Sequence, residues 1–392
     1  MEQFAQGFIY PAVNTRVMFG LGMLAQLPEV VSGFSTDRVL LVTDAGLQAS
    51  GILDQVRQVL HSGNIKVEVY DAVPQDSSTT AIEQAWELLD AFKAKLVIGV
   101  GGGSSLDFAK AVAVRATNPP PLKQYAGLDK VVNRPLPVIA VPTTSGTGSE
   151  VSFWSIMTDD ETHVKIAIGG DLLFPSVALC DPELTLGLPP KLTAATGMDA
   201  LAHAIESYTN KSFQPISSVL TLKAVELIGR YLVRAVEDGS DREARYGMML
   251  GSTLAGMGMN PTRLGLVHAL AMPLGSWNLK IPHGIAVATL LAEAMEFNVI
   301  GNPEIFAKVA QALGVEIDGL DDIEAGNRGV QVVREIAHRI GIPDSLASYG
   351  LHDETIPLVC AEAMKSGNIA ANPRNIVQVD LERICKALAK EN

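Results

Sequence analysis

The sequence predicts an α/β N-terminal domain followed by an all-α C-terminal domain. Strand and helix patterns alternate through roughly the first 150 residues, the texture of a parallel sheet covered on both faces. Beyond about residue 185 the text turns helical and strand signals nearly vanish. A chain of 392 residues also exceeds one core of ordinary size, so two domains are expected, 1–185 and 186–392.

In order, "RVLLVTD" (38–44) reads as a buried strand and "LQASGILDQVRQVL" (47–60) as an amphipathic helix. "KVEVYD" (66–71) is a strand and "STTAIEQAWELLDAFKA" (78–94) a helix. "KLVIGVG" (95–101), "SLDFAKAVAVRA" (105–116) and "LPVIAVPTT" (136–144) continue the alternation as strand, helix and strand. The boundary falls near "DPELTLGLPP" (181–190), where prolines follow the strand-like "SVALC". Helical periodicity then runs to the C-terminus, without internal repeats or low-complexity segments.

Composition narrows the function. Apolar residues at 47% and charged residues at 19% fit a globular protein. Thirty basic against 43 acidic residues give a formal charge of -13, a poor match to a phosphate backbone, so nucleic acid is not an expected partner. No apolar run reaches the roughly 18 residues of a membrane span. The start, "MEQFAQGFIYP", lacks the basic and apolar regions of a signal peptide. Cys180, Cys360 and Cys385 show no paired spacing, which predicts reduced thiols and a cytoplasmic location.

Two loops carry candidate ligand chemistry. "VIGVGGGSSLDFAKAV" places glycines between a strand and a helix start, where backbone N–H groups and the helix dipole suit an anion such as a pyrophosphate. It is not the G-x-G-x-x-G fingerprint and lacks a P-loop lysine, so a plain tight turn remains a reading of the glycines alone. "PTTSGTGSE" (142–150) follows another strand and adds hydroxyls suited to phosphate oxygens. Together the loops favour a nucleotide. Asp44, at the end of the first alternating strand, either accepts from ribose hydroxyls, favouring NAD over NADP, or caps the next helix.

"TGMDALAHAIESY" (197–209) sets Asp199 and His203 four positions apart, on one helix face. His268 and His283 follow in equally apolar text, while the chain has only seven histidines. Two readings stay open from the residues: satisfied core histidines, or an N/O ligand set suited to Fe²⁺ or Zn²⁺. Phe153, Met257, Met272 and Trp277 flank these motifs and are candidates to line an apolar substrate pocket, with ordinary core packing the alternative.

"GVGGGSSLDFAKA", "PTTSGTGSE", "DPELTLGLPP", "TAATGMDALAHAIESY", "GLVHALAMPLG…PHGIA" and "NPR" (372–374) together resemble the iron-containing (group III) metal-dependent alcohol dehydrogenase family, from about residue 10 to the end. The resemblance implies a dehydroquinate synthase-like fold, a dinucleotide-binding first domain and a metal-binding helical second domain. It implies the ligands Asp199, His203, His268 and His283, holding Fe²⁺ or alternatively Zn²⁺. It implies NAD contacts at Asp44, Gly102, Gly103, Ser104, Thr143, Thr144, Thr147, Lys165 and Leu184, and at least a homodimer. The implied reaction interconverts a small primary alcohol or diol and its aldehyde, the metal polarising the substrate oxygen and hydride passing to or from nicotinamide C4.

A small anionic aldehyde bearing a carboxylate, phosphonate or sulfonate is the alternative substrate. A non-redox lyase or synthase on this fold would need a basic cluster, which the metal-bearing region lacks. The intact Asp/His set speaks against a nucleotide sensor without turnover. Two departures from the family pattern stand out. Met272 occupies a position where a further His is common, and "GSWNLKIPHG" is about one residue longer than usual.

Overall fold

The computed structural model describes residues 8–11, 14–74, 77–162, 164–212, 214–275, 279 and 281–390. The chain divides into two compact units, one formed by Pro11–Leu188 and the other by Pro189–Asn392 together with the residues before Pro11.

The first unit is the alternating one. It runs β1 (Arg16–Phe19), α1 (Leu27–Ser32), β2 (Arg38–Val42), α2 (Ala45–Ser50), α3 (Ile52–Ser62), β3 (Lys66–Tyr70), α4 (Thr79–Phe92), β4 (Val97–Gly101) and α5 (Gly103–Arg115). Then come β5 (Gly127–Leu128), β6 (Val138–Pro142), β7 (Trp154–Thr158), β8 (Lys165–Gly169) and β9 (Val177–Cys180). The main sheet is parallel, in the order β1-β9-β6-β4-β2-β3.

Strand β2 explains why a continuous apolar run is needed. Val39 and Leu41 join the core under α1 and α3, while Leu40 and Val42 join the core under α4 and α5. Side chains alternate faces, so a sheet covered on both sides demands apolar residues at every position. The chain leaves β2 for β3 on one side and returns to β4 on the other. That reversal makes a switch point between β2 and β4, where ligands of open α/β sheets bind. A smaller sheet, β5-β8-β7, contains the antiparallel pair β7/β8. The alternating pattern did not predict it, because charged residues interrupt the apolar text there.

The second unit is helical among its described residues: α6 (Pro190–Thr209), α7 (Pro215–Glu237), α8 (Arg242–Met259), α9 (Leu266–Leu274), α10 (His283–Val299), α11 (Pro303–Ala312), α12 (Asp322–Arg339), α13 (Ile356–Ala363), α14 (Gly367–Ala371) and α15 (Gln378–Leu388). Proline at the first helical position starts α6, α7 and α11, where no intrahelical N–H is lost. Helix α6 is buried over most of its length and runs through the core of this unit, contributing Met198, Leu201, Ala204 and Ile205. The Tyr10 hydroxyl donates to the Met257 carbonyl at 3.0 Å, tying the described N-terminal residues to α8. No helix among the described residues is long and apolar enough to cross a membrane.

Candidate metal centre and cofactor loops

On the helical unit, Asp199 and His203 sit one turn apart on α6. His268 lies in the first turn of α9, and His283 is the first residue of α10. Gly284 lets α10 begin close against α6: a Cβ there would lie 2.8 Å from the Ala195 carbonyl oxygen. The result is convergence on one atom. The Nε2 atoms of His203, His268 and His283 lie 3.7, 3.4 and 3.6 Å from Oδ1 of Asp199. The ligating atoms of Asp199, His268 and His283 are all within 4.8 Å of one another. The His203 ring stacks on His268, with centroids 4.6 Å apart. Ligands at about 2.1 Å around a tetrahedral ion sit roughly 3.4 Å from each other. The spacing of Asp199, His268 and His283 therefore suits a shared cation, with His203 adjoining the group through its approach to Oδ1.

Two buried atoms support the fit. Oδ1 of Asp199 and Nε2 of His268 have no hydrogen-bond partner. Buried polar atoms are rarely left so without a reason. A cation between them would satisfy both, and three imidazoles with one carboxylate form a donor set that Fe²⁺ or Zn²⁺ accepts. Burial opposes ionisation of Asp199, but the three imidazoles outweigh it and hold the carboxyl well below its usual range. Burial alone would lower the pKa of His268; the Asp199 and Glu206 carboxylates win and raise it to about 9.

Glu206 was not anticipated. It is buried on α6, and its Oε2 lies 2.7 Å from Nδ1 of His268. The sequence did contain a signal: positions 199, 203 and 206 share one helical face.

On the α/β unit, Gly102 precedes α5 and Gly103 opens it, with no side chain capping the helix. Gly103 is a close approach, since a Cβ there would lie 2.6 Å from Cγ2 of Thr147. The loop after β6 thus packs against the start of α5, and the Thr143 N–H donates to the Gly101 carbonyl at 3.0 Å. Gly103→Ala would overfill this contact against a stiff β-branched neighbour. It should lower stability by about 1–3 kcal/mol, read as a reduced Tm. Ser104 is in α5, and its carbonyl accepts from the Ser77 hydroxyl. Thr144 and Thr147 lie in the loop, where the Thr147 hydroxyl accepts from the Ser149 N–H.

Asp44 caps α2, accepting from the Gly46 N–H at 2.9 Å, and its other oxygen accepts from the Ser105 hydroxyl at 3.0 Å. The capping role foreseen for it is therefore present, and the loops after β2 and β4 meet at the switch point. Lys165 begins β8, opposite Thr158. Leu184 is buried in a short 3₁₀ turn.

The pocket candidates separate. Phe153 is buried and packs edge-on to Phe174 at 5.4 Å. That is the core-packing alternative in physical form. Met257 is half-buried on α8, and Met272 is half-buried on α9, one turn beyond His268. Trp277 lies outside the described residues.

The family described as iron-containing alcohol dehydrogenase matches residues 14–182, and the C-terminal part of the Fe-containing alcohol dehydrogenase family matches residues 193–389. The 1,3-propanediol dehydrogenase of Klebsiella pneumoniae is 37% identical over 369 residues, 94% of each chain. The crystal structure of a 1,3-propanediol oxidoreductase superposes with a TM-score of 0.94 at 36% identity, covering 97% of this chain and 99% of that one. The sulfoacetaldehyde reductase of Bifidobacterium kashiwanohense, solved in complex with NAD⁺, gives a TM-score of 0.88 at 29% identity, covering 98% and 100%.

Proposed function

Because this chain belongs to the iron-containing alcohol dehydrogenase family, we propose that it is an NAD(H)-dependent oxidoreductase interconverting a small primary alcohol or diol and its aldehyde. The observation that carries this reading is the meeting of three imidazole nitrogens around one carboxylate oxygen. Asp199, His203, His268 and His283 would hold a divalent ion, Fe²⁺ or alternatively Zn²⁺, which supplies Lewis-acid polarisation of the substrate oxygen. NAD supplies the hydride acceptor, its aldehyde-reducing partner being NADH.

The chain's own residues do the rest. Asp199 supplies the carboxylate that offsets the ion's charge, and the neutral rings complete the donor set without adding charge. The first turn of α5 directs backbone amides at the pyrophosphate, helped by the hydroxyls of Thr143, Thr144 and Thr147. Ser104, Lys165 and Leu184 complete the proposed cofactor contacts. Asp44 stands at the switch point, where a carboxylate accepts from ribose hydroxyls and repels a 2′-phosphate, favouring NAD over NADP. Met272 holds no titratable proton, so the position one helical turn after His268 does not relay one. Met257 and Met272 are the proposed apolar contacts for a short carbon chain. We place the protein in the cytoplasm as at least a homodimer, its α/β unit carrying NAD and its helical unit the metal.

The test is absorbance of NADH with a panel of short alcohols, diols and aldehydes, with chelator and after adding back Fe²⁺ or Zn²⁺. Turnover lost with chelator and restored by metal is expected. NAD binding without turnover on any member of the panel would remove the assignment. The likeness to a sulfoacetaldehyde reductase supports a second reading, reduction of an anionic aldehyde. A higher kcat/KM for carboxylate- or sulfonate-bearing aldehydes than for uncharged ones would favour it.

A further inference from the structure

We propose that Glu206 is the positioning residue of the metal centre: it sets which nitrogen of His268 carries the proton and fixes where α9 begins. This rests on the metal-binding reading above, which assigns Glu206 no role.

The argument is geometric. A helix start leaves its first N–H groups without intrahelical partners. In α9 those of Leu266, Val267 and His268 are accepted by two buried side chains from elsewhere. Oδ1 of Asn372 accepts from Leu266 at 3.1 Å. Oε1 of Glu206 accepts from Val267 at 2.7 Å, and its Oε2 from His268 at 3.4 Å. Asn372 is held in turn by Asn298, the two amides exchanging hydrogen bonds of 2.7 and 3.1 Å. These contacts fix the rotation and register of the turn that bears His268.

The same Oε2 lies 2.7 Å from Nδ1 of His268. An ionised carboxylate only accepts, so Nδ1 must donate. A neutral imidazole has one ring proton, and placing it on Nδ1 leaves the lone pair on Nε2. That nitrogen faces Asp199 and has no hydrogen-bond partner. Glu206 therefore aims the lone pair as well as the ring, the arrangement in which a carboxylate behind a ligating histidine tunes the site.

The substitution Glu206→Gln separates the roles, because it keeps the shape. Its amide oxygen can still accept from Val267, but its NH₂ then faces Nδ1 as a donor. Nδ1 must accept, and the proton moves to Nε2, where it blocks a cation. The opposite amide orientation sets NH₂ against the Val267 N–H, donor against donor.

The experiment uses the full chain stripped of metal, with Zn²⁺ as the probe in competition with a chromophoric chelator. Glu206→Gln should weaken Zn²⁺ binding by roughly 10- to 100-fold with an unchanged circular dichroism spectrum. In parallel, ¹⁵N shifts of labelled histidine in alkaline solution should place the His268 proton on Nδ1 in the wild type and on Nε2 in the variant. Equal Zn²⁺ affinity overturns the proposal, as does weakened affinity with the proton still on Nδ1. If the variant fails to fold, the wild-type spectrum decides alone, since a proton on Nε2 there sinks the idea. A wild type that binds no Zn²⁺ would refute the metal reading, while the ring spectrum still judges Glu206.

Discussion

Asp199→Asn should strip the protein of its metal and lower the rate of alcohol oxidation by about a thousandfold. Asp199 is the vertex of the site: all three imidazoles approach its Oδ1. Asparagine keeps the size and so preserves the packing of α6, whose neighbouring Met198 and Ala200 are fully buried. What it removes is charge. A divalent cation among neutral rings, two of them buried, then lacks the anionic ligand proposed for it, and the desolvation cost of the ion is less well compensated. A Lewis acid contributes several kcal/mol to such a reaction, and about 4 kcal/mol corresponds to a thousandfold in rate. The measurement pairs kcat from NADH absorbance with metal content by elemental analysis. Chelator-stripped wild type should show the same residual rate as the variant. A variant that keeps both metal and rate would show that Asp199 is no ligand, and the proposed chemistry would fall with it.

Which parts of this were legible in the sequence follows from the range of the interactions involved. Asp199 and His203 could be paired by eye because one helix turn joins them, and helical periodicity is local. His268 and His283 carry no such mark. Their meeting depends on where α9 and α10 start, which Asn372, Glu206 and Gly284 determine through contacts from distant parts of the chain. Glu206 escaped for a different reason. A glutamate near the end of a helix reads as a solvated residue, and only burial shows that it faces inward. The β7/β8 pair was hidden because "DDETHVK" breaks the apolar alternation. Asp44 shows the capping one of its two readings. It caps α2 with one oxygen while the other reaches Ser105 at the sheet's switch point. Phe153, by contrast, offers the sequence only its apolar character, which cannot tell a pocket wall from the buried packing it has beside Phe174.

The second large effect is on pH. In the metal-free protein, His268 keeps its proton up to a pKa of about 9, against an ordinary 6.5, because the Asp199 and Glu206 carboxylates outweigh burial. A cation needs the lone pair that this proton occupies, so binding must displace it. Asp199 stays ionised throughout, its own pKa being held well below the usual range. Apparent affinity for Zn²⁺ should therefore rise about tenfold per pH unit below about 9 and then level off. Across the window from 6.5 to about 9, a span of 2.5 units, this amounts to about 300-fold. The contribution of His268 to folding stability differs between the two forms. Without metal, the raised pKa stabilises the fold fully below 6.5, and that contribution is lost as pH rises through about 9. With metal in place of the proton, no such loss occurs at His268. The gap in Tm between loaded and stripped protein should thus widen as pH rises through this window. Chelator competition and paired melting curves across the range check both statements. An affinity flat in pH between 6.5 and 9 would mean that His268 loses no proton on binding the ion in this range, either because its pKa is not raised or because Nε2 is not a ligand.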